Sequence, residues 1–272
     1  MNKNEIITLD NNHAQCQISL FGGQVLSYRP KGQSHDVFWL GNLNKFDASS
    51  AIRGGIPVCW PRFAAEELNA HLPRHGFARI SNWQLQHFDT NENQTEVVLH
   101  LPLDEKYNTL LSATLSIKIT DQFECCLETT NHGSQEFKFS EALHVYFNVG
   151  NRDTTILRGF NNCRYKSSLD QQIYTQKGDL MISNEFDAAF LDHHNHIEII
   201  DKAFNRVITL EKSGSDTTIV WNSGKDLAEM SPDQYKNFIC VEPANPGASF
   251  ITLAPLQKHR LSMIVRVNSL NF

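Results

Sequence analysis

Apolar and polar residues alternate with a period of two along most of this chain, and this limits the fold more than any other feature. Between residues 114 and 120, Leu115, Ile117 and Ile119 alternate with threonine, serine and lysine. Such alternation is typical of a β-strand with one buried and one solvated face. The polar triplet at 120–122 precedes another alternating run, which predicts a hairpin.

The same period recurs near both ends of the chain, at residues 16–20 and 261–267, and helical stripes are scarce. The best helix start is Ser231-Pro232-Asp233, where serine as the N-cap and proline after it predict one short helix. We therefore predict an all-β protein: a large antiparallel β-sandwich with few short helices, forming a single domain over residues 1–272. The irregular stretch at 44–82 is then a long insertion, and such connections are usually functional.

Composition narrows the functional classes. The 272 residues carry a net charge of -6, which argues against a general nucleic-acid-binding protein. The N-terminal residues lack the apolar segment of a signal peptide, and no run of 18 apolar residues predicts a membrane span. The six cysteines form no CxxC pair. We expect a cytoplasmic protein with reduced thiols and no disulfide scaffold.

Four arginines and no lysine occur between residues 51 and 80, in segments broken by glycine and proline. Guanidinium groups bind phosphate or carboxylate oxygens through two parallel hydrogen bonds, and prolines stiffen the loops that present them. Gly54-Gly55 permits backbone paths closed to other residues and close approach of a ligand. These features predict an anion site. Pairing with surface carboxylates such as Glu66 and Glu67 is an equally good reading of the composition.

Two further stretches contain candidates for acid–base chemistry. In SEALHVYFNVG, residues 140–150, an extended strand puts His144 among apolar neighbours, where its pKa can be tuned. In NFICVEPANPG, residues 237–247, Glu242 ends an apolar strand that Pro243 is expected to stop. Partial desolvation would make Glu242 a usable base. A hydrogen-bonded core histidine and a paired buried glutamate are the structural alternatives.

A third candidate is the histidine cluster His193, His194 and His196. Its spacing is too tight for a structural zinc site and no cysteine lies near it, so we interpret these residues as solvated loop histidines. No metal site is predicted. Nucleophile motifs such as GxSxG, and nucleotide-binding motifs such as GxGxxG, are absent from the sequence.

Five motifs in order along nearly the whole chain resemble the hexose-6-phosphate mutarotases (glucose-6-phosphate 1-epimerases) of the galactose-mutarotase-like superfamily. The motifs are IRGGIPVCWPRF, LPRHGFAR, EALHVYFNV, WN at 221–222, and FICVEPAN. The resemblance implies a supersandwich fold and interconversion of the α and β anomers of hexose 6-phosphates without a cofactor or metal. Its partner would be the small-molecule substrate.

The resemblance also implies roles for particular residues. The family's catalytic histidine and glutamate fall on His144 and Glu242. Its binding arginines fall on Arg53 and Arg79. The remaining substrate-binding positions are Arg74, where relatives often have glutamine, and Asp187, whose segment lacks the arginine and tyrosine that usually follow it.

Mutarotation requires one proton to leave the C1 hydroxyl and another to reach the ring oxygen. Glu242 as base and His144 as acid would meet this need, with the arginines binding the phosphate. The sequence leaves open contacts of Arg62, Trp60 or His75 with substrate, as well as the preferred hexose and the oligomeric state, for which a monomer is plausible. Two alternative functions remain: an epimerase for unphosphorylated aldoses, and a non-catalytic protein that binds or senses sugar phosphates.

Overall fold

Strands account for nearly all regular structure in the chain. A computed structural model describes residues 5–64, 67–103, 105–107 and 110–270. In chain order its strands are β1 (Ile6–Asp10), β2 (Ala14–Ser19), β3 (Gln24–Pro30), β4 (Val58–Cys59), β5 (Gln84–Thr90), β6 (Thr95–Leu101), β7 (Leu111–Ile119), β8 (Phe123–Asn131), β9 (Phe137–Phe139), β10 (Glu141–Leu143), β11 (Tyr146–Asn148), β12 (Ile156–Arg158), β13 (Arg164–Ser167), β14 (Ile173–Thr175), β15 (Phe186–Phe190), β16 (Ile197–Asp201), β17 (Arg206–Ser213), β18 (Thr217–Asn222), β19 (Phe238–Asn245), β20 (Ile251–Leu253) and β21 (Lys258–Ser269). Short 3-10 helices cover Ala78–Ile80, Glu105–Tyr107, Arg152–Thr154, Gln234–Asn237 and Gly247–Ser249.

Two large sheets form the sandwich. The front sheet has the order β14-β13-β15-β18-β19-β10-β4, with β11 also paired to β19. The back sheet has the order β12-β16-β17-β21-β8-β7-β6-β5. The ladders in both are antiparallel. A three-stranded sheet, β1-β2-β3, and the pair β20-β9 complete the described strands. The prediction of an all-β antiparallel sandwich is confirmed.

The core lies between the two large sheets. Ile117 and Leu210 of the back sheet belong to the same buried cluster as Val220 and Val241 of the front sheet. Along β7, buried and half-buried residues alternate strictly, and the predicted hairpin joins β7 to β8. Hydrophobic burial of one face of each sheet is therefore what the alternating pattern encodes.

The front sheet differs from this pattern because β19 is buried on both faces along its whole length. Its outer face is covered by connecting segments. Phe63, from the predicted insertion, packs with Ile219 and Ala142, and Met230 packs with Cys240. The insertion is mostly irregular, as expected, although it contributes β4 to the edge of the front sheet.

Three local predictions were wrong. The short helix begins at Gln234, and its N-cap is Asp233 in the left-handed conformation (φ 68°) rather than Ser231. Strand β19 does not stop at Pro243 but continues to Asn245, because β18 remains paired alongside it. The stretch around His144 is two strands, β10 and β11, with His144 in the break between them.

No helix in the described part of the chain is long and apolar enough to cross a membrane.

Candidate active site

A cavity of about 550 Å³ opens on the outer face of the front sheet, between this face and the covering segments. Every site residue predicted from the sequence lines it: Arg53, Arg74, Arg79, His144, Asp187 and Glu242. These residues lie as far as 189 positions apart in the chain. The fold therefore brings the predicted acid–base pair and the predicted anion-binding arginines to one cavity.

Strand register explains how the floor of the cavity is built. Side chains directly opposite each other on neighbouring strands share a face of the sheet. One row of such neighbours consists of Lys166, Ala189, Ile219 and Glu242. The adjacent row consists of Asp187, Trp221, Cys240 and Tyr146.

The break between β10 and β11 aims His144 at this floor. Its ring stacks on that of Tyr146 (centroids 5.0 Å apart), and its Nδ1 atom lies 3.3 Å from Oε1 of Glu242. The side chain of Glu242 is 1% exposed and that of His144 is 12% exposed. Nδ1 of His144 and Oε2 of Glu242 have no hydrogen-bond partner among the described residues. Both atoms are thus buried without a partner among these residues, which is rare in folded proteins.

Burial shifts both groups toward their uncharged forms. Desolvation, together with the nearby charges of Arg53 and Arg79, lowers the pKa of His144 to about 3. Desolvation raises the pKa of Glu242 well above its ordinary value, and the charge of Asp187 adds to this effect. Both shifts favour a neutral imidazole beside a protonated carboxyl group.

The side chain of Arg53 is held in the cavity wall by Tyr146 and Glu229. Nη1 donates to the Tyr146 hydroxyl at 3.1 Å, and Nε donates to Oε2 of Glu229 at 3.2 Å. Gly55 has a positive φ, and a Cβ there would come within 2.1 Å of the Val25 carbonyl oxygen, so only glycine fits. The predicted backbone path is confirmed, but the close approach is to neighbouring backbone.

Arg74 and Arg79 belong to the LPRHGFAR segment, residues 72–79. Nη2 of Arg79 donates to the Arg74 carbonyl at 3.2 Å, while its buried Nε has no partner among the described residues. Gly76 between them packs against the Trp60 carbonyl, where a Cβ would lie 2.0 Å away. Among the residues that the structure describes, no carboxylate lies within ion-pair distance of either arginine.

The surface ion-pair reading is thus not supported for Arg74 and Arg79, and Glu66, one of the suggested partners, lies outside the described residues. Arg53 does have a carboxylate partner, Glu229, but it lies in the cavity wall rather than on an open surface, with both side chains less than one-third exposed. Two of the three predicted arginines therefore line the cavity without a carboxylate at ion-pair distance among the residues that the structure describes.

Asp187 reaches the cavity from β15, at the edge of the floor. Its Oδ1 accepts a hydrogen bond from the Ser168 hydroxyl at 3.0 Å, and burial raises its pKa. The segment has Ala188 and Phe190 in place of the usual arginine and tyrosine, yet Asp187 still lines the cavity. Both replacements are buried and pack in the core beneath the front sheet.

The structure also separates the residues that the sequence left open. His75 and Phe63 line the cavity. Burial and the neighbouring cations lower the pKa of His75 to about 2, so it is neutral. Trp60 is a core residue whose Nε1 donates to Thr129 at 2.9 Å, and Arg62 binds backbone carbonyls of its own loop.

Sequence reasoning missed Lys166, Ser168 and Gln171, which line the far side of the cavity. Their strand and turn are short and polar, so no sequence motif identifies them.

The interpretation of the histidine cluster was also partly wrong. His193 is fully buried and bridges Thr218 and the Gly159 carbonyl, whereas His194 and His196 are exposed as expected.

Comparison with known proteins identifies the family to which this fold belongs. The family model described as aldose 1-epimerase matches residues 5–266. The chain belongs to the aldose 1-epimerase family. It is therefore an epimerase, a mutarotase acting on a sugar.

Relatives within the aldose 1-epimerase family share about a third of its sequence. A Haemophilus influenzae protein provisionally named glucose-6-phosphate 1-epimerase is 31% identical over 216 residues, 79% of this chain and 75% of the relative. An Escherichia coli protein with the same provisional name is 31% identical over 251 residues, covering 88% and 83%. A crystal structure of a Salmonella typhimurium protein provisionally described as a mutarotase superposes with a TM-score of 0.89 at 26% identity, covering 99% and 92%.

Proposed function

We propose that this epimerase interconverts the α and β anomers of glucose 6-phosphate and related hexose 6-phosphates. One observation carries the proposal: a single cavity is lined by the His144–Glu242 pair and by Arg53, Arg74 and Arg79. The pair is suited to proton transfer at a hemiacetal, and the arginines are suited to a phosphate. The names of the relatives agree with this substrate class.

Ring opening moves two protons and breaks one bond. Glu242 takes the proton of the C1 hydroxyl as its oxygen forms the carbonyl, and His144 delivers a proton to the ring oxygen as the bond from C1 to that oxygen breaks. Rotation about C1–C2 turns the other face of the aldehyde toward the ring oxygen. Closure reverses both transfers, so each group acts once as acid and once as base, each contributing ~10²–10⁴-fold.

The protonation state of the pair is consistent with this cycle. Its ionic and uncharged forms contain the same number of protons and differ only in which of two atoms, 3.3 Å apart, holds one of them. Burial favours the uncharged form. A hemiacetal that hydrogen-bonds to the His144 ring and the Glu242 carboxylate favours the ionic form, from which ring opening starts.

The arginines give the substrate its orientation. A phosphate ester carries about -1.5 to -2 charges at neutral pH. Arg74 and Arg79 lack carboxylate partners among the described residues, so a phosphate between them and Arg53 gains charge-assisted hydrogen bonds without first breaking an ion pair on either of them. Holding the phosphate fixes the anomeric carbon near the acid–base pair, which lowers the entropic part of the barrier.

The test is the rate of anomer exchange of α-glucose 6-phosphate, measured by polarimetry or exchange NMR. We expect the protein to accelerate exchange and His144→Ala to remove most of the acceleration. His194→Ala is the matched control, because His194 is exposed and does not line the cavity. Equal rates for His144→Ala and the native protein would reject the assigned role.

The same measurement separates the two alternative functions. An epimerase for unphosphorylated aldoses would accelerate exchange of free glucose or galactose at least as well as that of the phosphate ester. A non-catalytic sensor would bind glucose 6-phosphate, detected by calorimetry, without accelerating exchange. Either result would overturn the proposal.

A further inference from the structure

Cys240 is the residue of the site for which the proposed reaction has no use. It lies on β19 two positions before Glu242, on the same face of the strand, and is fully buried beneath the cavity floor without lining the cavity. One ring nitrogen of His144, the Sγ of Cys240 and one carboxylate oxygen of Glu242 all lie within 4.8 Å of one another. These are a nitrogen, a sulfur and an oxygen donor converging on one point.

We propose that His144, Cys240 and Glu242 form a binding site for a zinc-like divalent cation, and that an occupied site cannot bind sugar. The cation would be held by three protein ligands, with its fourth position open toward the cavity. Structural zinc sites have four protein ligands, whereas three protein ligands and an open fourth position are typical of sites where a further molecule can bind the metal.

The distances match tetrahedral coordination. Bond lengths of about 2.0–2.1 Å to nitrogen and about 2.0–2.2 Å to oxygen put these two ligand atoms about 3.4 Å apart. Nδ1 of His144 and Oε1 of Glu242 are 3.3 Å apart. A zinc–sulfur bond of about 2.3 Å requires sulfur-to-ligand distances of about 3.6 Å, so each of these distances has to shorten by at most about 1.2 Å.

The unpaired atoms supply an independent argument. Buried polar atoms are nearly always hydrogen-bonded, yet Nδ1 of His144 and Oε2 of Glu242 have no hydrogen-bond partner among the described residues. A cation at this point coordinates the first atom and the carboxylate that carries the second. The donor set also selects the cation, because a thiolate and an imidazole suit zinc, cobalt or cadmium, whereas magnesium and calcium prefer oxygen ligands.

The positive charges of Arg53 and Arg79 lie nearby and would repel an added cation, but binding does not add net charge to the site. The thiol carries one proton, and the His144–Glu242 pair carries one proton between its two members. A divalent cation that binds thiolate, carboxylate and neutral imidazole releases these two protons to water, so the net charge of the site does not change. The competition with sugar rests on the proposed function, whereas the cation site itself does not.

Cobalt titration tests the site without any turnover. Protein freed of metal with a chelator is titrated with Co²⁺, whose tetrahedral thiolate complexes absorb in the near ultraviolet by charge transfer and intensely in the visible. We expect both bands to saturate at one equivalent and Zn²⁺ to displace them, while Mg²⁺ leaves them unchanged. The absence of a charge-transfer band in the native protein would overturn the proposal.

Variants assign the sulfur. Cys240→Ala should lose the charge-transfer band, and Cys240→Ser serves the same purpose should the alanine variant fold poorly, as circular dichroism would reveal. The control is the double variant Cys126→Ala/Cys163→Ala, which removes the two partly exposed thiols and should keep the band. A band that persists without Cys240, or that disappears from the control, would overturn the assignment.

Kinetics then test the competition. With free Zn²⁺ held by a metal buffer, because sugar phosphates themselves bind divalent cations, we expect the apparent KM for glucose 6-phosphate to rise while kcat stays constant. Anomer exchange that is insensitive to zinc at concentrations that fill the site would overturn the competition. An intact cobalt spectrum in a protein without mutarotase activity would overturn the proposed function and leave the cation site standing.

Discussion

Glu128 on the back sheet and Glu242 on the front sheet are the same residue type on similar antiparallel strands, yet their pKa values are shifted in opposite directions. The carboxylate of Glu128 accepts hydrogen bonds from Lys258 and Arg260 at 2.7 Å each, which lowers its pKa. Glu242 is buried without a cationic hydrogen-bond partner, and burial raises its pKa. Their difference comes from what covers each sheet: water over one, protein loops over the other.

The comparison indicates which face of a β-sandwich can carry a group that exchanges protons near neutral pH. A carboxylate on a solvated sheet face stays ionised and is screened by water and neighbouring charges. The same group under a lid of loops becomes a proton carrier whose affinity depends on what binds beside it. The cavity that we propose as the active site lies on the outer face of the front sheet, whereas Glu128 lies on the solvated face of the back sheet.

The largest expected effect separates these two glutamates directly. Glu242→Gln removes the proposed base, and we expect the anomer exchange rate of glucose 6-phosphate to fall about 10²–10⁴-fold. Glu128→Gln is the matched control and should leave the rate within a factor of two, because its side chain does not line the cavity. Polarimetry on both variants measures this contrast, which equal losses in the two variants would break.

The next effect concerns the cations of the two faces. Arg53→Ala removes a charge-assisted contact and should raise KM for glucose 6-phosphate about ten- to a hundredfold, with much less effect on free glucose. Arg260→Ala on the back sheet should change neither value. If Arg53→Ala impaired both sugars equally, the arginine would be a structural residue of the cavity wall.

A smaller effect is expected at the edge of the cavity floor. Asp187→Asn removes the negative charge of the side chain, which weakens its hydrogen bonds to a sugar hydroxyl. It keeps the size of the side chain and one acceptor oxygen, so we expect KM to rise only about two- to tenfold. Asp179→Asn, an exposed carboxylate paired with Arg158, is the control. Steady-state kinetics that gave identical KM values for the two variants would remove Asp187 from the binding site.

The smallest effect is on stability and comes from the back sheet. Because the pKa of folded Glu128 lies below its ordinary value of 4.5, its ion pairs stabilise the protein above that pH and lose this contribution as pH falls through the lowered pKa. Glu128→Gln should cost under about 1 kcal/mol at pH 7, and less in acid. Urea unfolding at several pH values tests this: a cost that grows as pH falls would contradict the assignment.

Much of the fold was predictable because its pattern is local. Alternation along β7 and β8 and the hairpin between them follow from residues close in sequence. The break at His144 and the continuation of β19 past Pro243 were not predictable, since both depend on which strands pair alongside them. His193 was misread for the same reason: its two hydrogen-bond partners, Thr218 and Gly159, are 25 and 34 residues away.

The chain's own sequence determined the chemical groups: an alternating pattern that forces a sandwich, arginines and glycines in a broken loop, and a histidine and a glutamate in apolar surroundings. Tertiary structure decided which of them meet. Strand register puts Lys166 in the row that ends at Glu242, and the fold brings ligand atoms of Cys240 and His144 within 4.8 Å of each other. No spacing in the sequence reveals either arrangement. The physical reason is that pKa shifts, a charge without a carboxylate partner and cation coordination all depend on distances and burial set by long-range packing.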